Sequence, residues 1–172
     1  MKTGAILLLL FFSAKAYGQN EFAAIAFYNE FNKIFSDAQA GFVGNKGDKR
    51  KSEFEELATE YKVKFHLPLA DSGKVIFPVS GNPYVIYYFE PDKVRLKVDL
   101  RGANLRDAVL IAFMEPLYAR TETSVINNYL LTNSWYFTDP HETRTSRATF
   151  KMSIYFNNGK YYLSFEIRGK NP

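Results

Sequence analysis

The chain contains no cysteine. Disulfides, thiol nucleophiles, iron–sulfur clusters, cysteine-based zinc sites and anchoring through a lipidated cysteine are therefore excluded. Histidine is nearly absent too, with His66 and His141 the only two. A nitrogen-rich metal centre cannot be assembled from so few ligands. There is no Gly-x-Ser-x-Gly elbow for a serine nucleophile. The glycines of Gly41-Phe42-Val43-Gly44-Asn45-Lys46-Gly47 lack the spacing and the Ser/Thr of a phosphate-binding loop. The longest apolar run, Ala5 to Phe12, is well short of the roughly 20 residues that cross a bilayer as a helix.

That run has another reading. Lys2 precedes it, and Ser13, Ala14, Ala16 and Gly18 follow. Charge, apolar stretch and small-residue exit are the features of a secretory signal peptide. Residues 1–18 are therefore expected to be cleaved, after Ala16 or, preferably, after Gly18. A single domain at 19–172 would remain, in the periplasm or outside the cell, with no transmembrane segment. Removing Lys2 and Lys15 lowers the basic residues from 22 to 20 against 18 acids, a net charge of +2. That charge argues against nucleic acid as a partner.

Aromatic residues are plentiful, with 16 Phe and 12 Tyr. Each large ring removes roughly 150–250 Å² from water, so one core can hold the chain without disulfides.

Residues 22–42 predict an amphipathic helix, with Phe27, Phe31, Ile34, Ala38 and Phe42 at helical spacing. A charged loop is expected at 44–52 and a short helix from Ser52 to Thr59. Two-residue alternation then predicts strands at Tyr61–Leu69, Lys74–Val79, Tyr84–Glu90 and Val94–Leu100. The strand at 84–90 is apolar on both sides, which fits a covered central strand or an aromatic surface. Asn104 is expected to cap a second helix that ends near Pro116. Residues 125–137 are ambiguous, with a strand through Tyr129–Phe137 preferred. A polar loop follows over 138–146. Phe150–Phe156 and Tyr161–Ile167, joined by Asn157-Asn158-Gly159, predict a hairpin. The expected fold is α+β: a single twisted antiparallel sheet with two main helices packed on one face.

No catalytic residues, metal site or cofactor emerge from these patterns. The most coherent constellation is a basic sheet face. It comprises Lys62, Lys64 and His66 on one strand, Arg95 and Lys97 on another, and Lys151, Tyr155, Tyr162 and Arg168 on the final hairpin. Cations interleaved with tyrosines suit an anionic glycan, a lipid headgroup or a cell-envelope protein. The expected function is a binding or structural module rather than an enzyme. One alternative is a carrier of a small apolar ligand, with Tyr87, Tyr88, Phe89, Trp135, Tyr136 and Phe137 lining a pocket between helices and sheet. A metal-dependent or carboxylate hydrolase using Asp139, His141 and Glu142 ranks below both.

Overall fold

The computed structural model describes residues 21–22, 24–52, 55–113, 118–126, 130–138 and 150–170. At 113, 118–126 and 130–138 the description covers the backbone and the side chain of Ser134. The expected signal peptide and the loop with Asp139, His141 and Glu142 lie outside the described residues. Among the described residues, two helices, α1 (Ile25–Gln39) and α2 (Arg95–Phe113), accompany eight strands. These are β1 (Lys46–Arg50), β2 (Ala58–Val63), β3 (Ala70–Pro78), β4 (Tyr84–Phe89), β5 (Tyr118–Ile126), β6 (Leu130–Thr138), β7 (Phe150–Asn157) and β8 (Lys160–Arg168). They form one antiparallel sheet in the order β1-β2-β3-β4-β8-β7-β6-β5. The fold is α+β, with both helices on one face of the sheet.

Helix α1 forms because Phe27, Phe31, Ile34 and Ala38 make one buried stripe. Phe31 packs against Phe150 of β7 and Phe165 of β8, with ring centroids 5.5 and 6.4 Å apart. The helix stops at Gly41, which adopts a left-handed φ of 74°. The Gly41 N–H donates to the carbonyl of Ala38, and the Phe42 N–H donates to that of Asp37. This is the paired bonding of a Schellman cap, where glycine is favoured because it has no Cβ to clash. Phe42 is also left-handed, with a φ of 62°, but its ring is fully buried.

Helix α2 corrects two expectations. Residues 94–100 were expected as a strand, but Arg95 onward is helical, so Asn104 lies inside the helix instead of capping it. The buried residues Val98, Gly102, Leu105 and Val109 recur at three- and four-residue spacing. Glycine at the second of these positions hides the helical period. The Cβ of any other residue there would lie 3.1 Å from the Ile154 side chain. Alternation at Val94, Leu96, Val98 and Leu100 is coincidental, and Leu96 and Leu100 are exposed. The start of the helix is set by Asp92, whose carboxylate accepts the Val94 N–H at 2.8 Å. That bond holds the Asp92 carboxyl below its ordinary pKa, aided by the Lys97 charge.

Two smaller expectations also change. Residues 55–57 form a turn and Ala58–Val63 a strand, so the short helix to Thr59 is not formed there. Pairing with β3 from Ala58 to Lys62 sets this strand. The charged segment 44–52 contains β1.

The final hairpin follows its sequence closely. Asn158 and Gly159 have φ of 46° and 75°, the two left-handed residues of a tight hairpin turn. Replacing Gly159 with alanine is expected to cost about 1 kcal/mol, because the added Cβ opposes the left-handed backbone. Urea denaturation of the variant beside the parent checks this.

Candidate functional site

The two faces of the sheet differ in kind. Val85, Tyr87 and Phe89 of β4 point to the helical side, with Leu163, Phe165 and Ile167 of β8 and Phe150, Met152 and Ile154 of β7. All nine are buried in the core. Tyr87 and Phe89 are thus core residues, and Tyr88 faces the other way. The side chains of Trp135, Tyr136 and Phe137 lie outside the description.

Directly opposed residues of an antiparallel pair share a face, so the register assembles the open side in rows. One row runs Ser134, Ser153, Ser164, Tyr88 and Ser72 across β6, β7, β8, β4 and β3. Beside it, Tyr155 and Tyr162 stack with centroids 5.3 Å apart and planes 10° from parallel. On the other side lie Lys151, Glu166, Ile86, Lys74 and Lys62. Beyond that row come Arg168, Tyr84, Ile76, Glu60 and Arg50.

Ser134, Ser153 and Ser164 are buried between larger neighbours. The hydroxyls of Ser134 and Ser153 are hydrogen-bonded to each other at 2.9 Å. The result is a low hydroxyl-lined strip edged by tyrosine rings. Lys74 is paired with Glu60 and Arg168 with Glu166, each at 2.8 Å. Across β1–β4, β7 and β8 these rows hold five cations and two carboxylates, a positive excess.

Tyr84, Tyr88 and Tyr155 all have hydroxyls pushed above the ordinary 10.0. Burial is the main cause for each, reinforced by Glu166 at Tyr84, by Glu60 at Tyr88 and by the Tyr88 hydroxyl at Tyr155. They therefore remain O–H donors at neutral pH. The core Tyr87 hydroxyl is pushed up further by burial. The linkage is direct. An unfolded chain ionises its tyrosines near 10, while these four still hold their protons in the fold. Their contribution to stability is complete below about pH 10 and falls as pH rises through the folded values. Urea midpoints are expected to be flat from pH 8 to about 9.5 and to drop beyond pH 10, with a shallower drop in Tyr87→Phe.

Of the residues expected from sequence, Lys62, Lys151, Tyr155, Tyr162 and Arg168 come together on this face. Lys64 and His66 do not share their strand, because β2 ends at Val63 and both are exposed in the connection to β3. Arg95 and Lys97 are corrected outright. They lie on α2, in the helical layer, near carboxylates of Asp99 and Asp92 at 3.4 and 3.5 Å. Tyr84, Tyr88, Lys74 and the serine row complete the face and were not grouped from sequence. Their signal was the doubly apolar β4, where tyrosines at 84 and 88 alternate with Val85, Tyr87 and Phe89.

Among the described residues no three His, Cys, Asp or Glu side chains gather in a metal-binding cluster. No described helix is long and apolar enough to cross a membrane. The arrangement offers aromatic faces, hydroxyl donors and cations. Comparisons with protein-family models, curated proteins and solved structures return no match, so a function is argued from this face alone.

Proposed function

We propose that this protein is an exported binding module whose open sheet face takes an acidic glycan. The observation that carries the reading is the Tyr155–Tyr162 stack beside Tyr88, bordered by cations, on the face opposite the two described helices. Sugar rings present C–H surfaces that lie against aromatic faces, while their hydroxyls exchange hydrogen bonds with tyrosine O–H groups. Carboxylates along the polymer meet Lys62 and Lys151, which flank the strip at opposite ends of one row. The charge, apolar stretch and small-residue exit of residues 1–18 support export to where such polymers occur.

The test uses polygalacturonate, heparin and neutral dextran as probes in isothermal titration at low and high salt. Binding to an acidic polymer, weakened by salt, with little or none to dextran, is the expected result. Equal binding to dextran, or none to either acidic polymer, overturns the reading.

A further inference from the structure

We propose that the protein forms a symmetric dimer by pairing β5 antiparallel with β5 of a second copy, with Thr121 on the two-fold axis. The first observation is the contrast between the two edges of the sheet. β1 is five residues long, carries Lys46, Asp48, Lys49 and Arg50, and has an irregular register between Lys46 and Lys49. Short, charged, irregular strands are how proteins protect an edge from pairing. β5 lies at the opposite edge and is nine residues long. It runs in unbroken register against β6 from Tyr118 to Ile126. Its outer backbone N–H and C=O groups form a regular ladder without a partner strand among the described residues.

The second observation identifies the occupant. β5 carries one cation and one anion, Arg120 and Glu122, two residues apart and so on the same face of the strand. Reversing the strand about Thr121 sets Arg120 opposite the partner's Glu122, and Glu122 opposite the partner's Arg120. Ala119 meets the partner's Thr123, and Tyr118 meets the partner's Ser124. Moving the axis one residue either way sets Glu122 against the partner's Glu122 or Arg120 against the partner's Arg120, and like charges directly opposed are unfavourable. A one-residue slip in pairing forms neither charge pair and turns one sheet over relative to the other. The sequence of β5 is thus complementary to itself in one register. This is the property an isologous interface requires.

This register keeps both helical layers on the same side. The two open faces then form one continuous surface, and a long polymer can engage both copies at once. That corollary rests on the glycan reading, whereas the dimer does not.

The experiment combines sedimentation with cross-linking of the purified protein. The wild type is expected to sediment as a dimer. Arg120→Glu and Glu122→Arg each replace two attractive pairs by two repulsive ones and are expected to weaken the dimer about tenfold or more. The double exchange Arg120→Glu with Glu122→Arg restores it. The chain lacks cysteine, so single introduced thiols report the register. Two copies of Thr121→Cys lie about 5 Å apart between Cα atoms, within disulfide reach. Two copies of Thr123→Cys lie about 13 Å apart and should not cross-link. A monomeric wild type, a dimer indifferent to the single exchanges, or equal cross-linking at 121 and 123 overturns the proposal. The cross-links are read on denaturing gels, so they decide the register even if a charge variant folds poorly.

Discussion

Replacing Asn45 with alanine is expected to lower the unfolding free energy by about 2–4 kcal/mol, a large share of the stability of a domain this size. Asn45 is fully buried. Its Oδ1 accepts the N–H groups of Lys64 and Phe65 at 3.0 and 2.8 Å. Its Nδ2 donates to the Tyr87 hydroxyl at 3.2 Å, and that hydroxyl donates to the Phe65 carbonyl at 2.8 Å. One side chain therefore satisfies the backbone just past the end of β2 and ties it to the central strand β4. Alanine leaves the Phe65 N–H without its acceptor, a loss of about 1–3 kcal/mol, whereas the Lys64 N–H keeps its second acceptor, the backbone carbonyl of residue 45, at 2.9 Å. The cavity adds to that cost. Tyr87→Phe removes a smaller part of the same network and should cost about 1–2 kcal/mol. Asn45 is itself fixed from α1, because Asp37 accepts the N–H groups of Gly44 and Asn45, each at 2.7 Å. Urea unfolding of the two variants checks the ordering. A loss below about 1 kcal/mol for Asn45→Ala would mean that water replaces the carboxamide without penalty.

The double variant Tyr155→Ala with Tyr162→Ala is expected to weaken binding of an acidic glycan by about 30-fold or more, since an aromatic anchor at an interface is worth about 2 kcal/mol or more. The two rings are stacked on each other and stand on neighbouring strands at the border of the serine strip. Removing one leaves the other without support, so the pair is expected to act as a unit. Both side chains are on the face away from the core, so the fold should survive. Lys62→Glu with Lys151→Glu should produce a smaller loss that shrinks in high salt. Lys97→Glu is the matched control, because Lys97 sits on α2 in the helical layer. Isothermal titration with polygalacturonate measures all three. Full binding by the tyrosine double variant would remove the basis for placing the ligand there.

The parts of the fold legible in the sequence are those where local pattern and tertiary packing agree. The β7–β8 hairpin has strict alternation and two turn residues suited to left-handed backbone, and it forms as written. Helix α1 has a clean stripe and a glycine stop. α2 was misread because its buried stripe passes through Gly102, which counts as nothing in a hydrophobic pattern. The segment at its start meanwhile imitates a strand at Val94, Leu96, Val98 and Leu100. That misreading carried Arg95 and Lys97 onto the wrong layer.

The open face was legible only in halves. Alternation along β7 and β8 placed Lys151, Tyr155, Tyr162 and Arg168 correctly, since each strand's own pattern was enough. Which other strands stand beside them depends on long-range pairing. β4 adjoins β8 across more than sixty residues of intervening chain, and no local signal encodes that contact. Tyr84, Tyr88 and Lys74 joined the site only through that pairing. The same pairing reveals that Glu60 and Glu166 offset part of the positive charge.

The most direct test of the central claim is amide chemical-shift mapping of the labelled protein during titration with a short polygalacturonate oligomer. Shifts concentrated on Tyr88, Ser153, Tyr155, Tyr162 and Ser164, spreading to Lys151 and Lys62, are predicted. Shifts confined to α1 and α2, or none at saturating oligomer, would contradict the assignment of the open face as the binding surface.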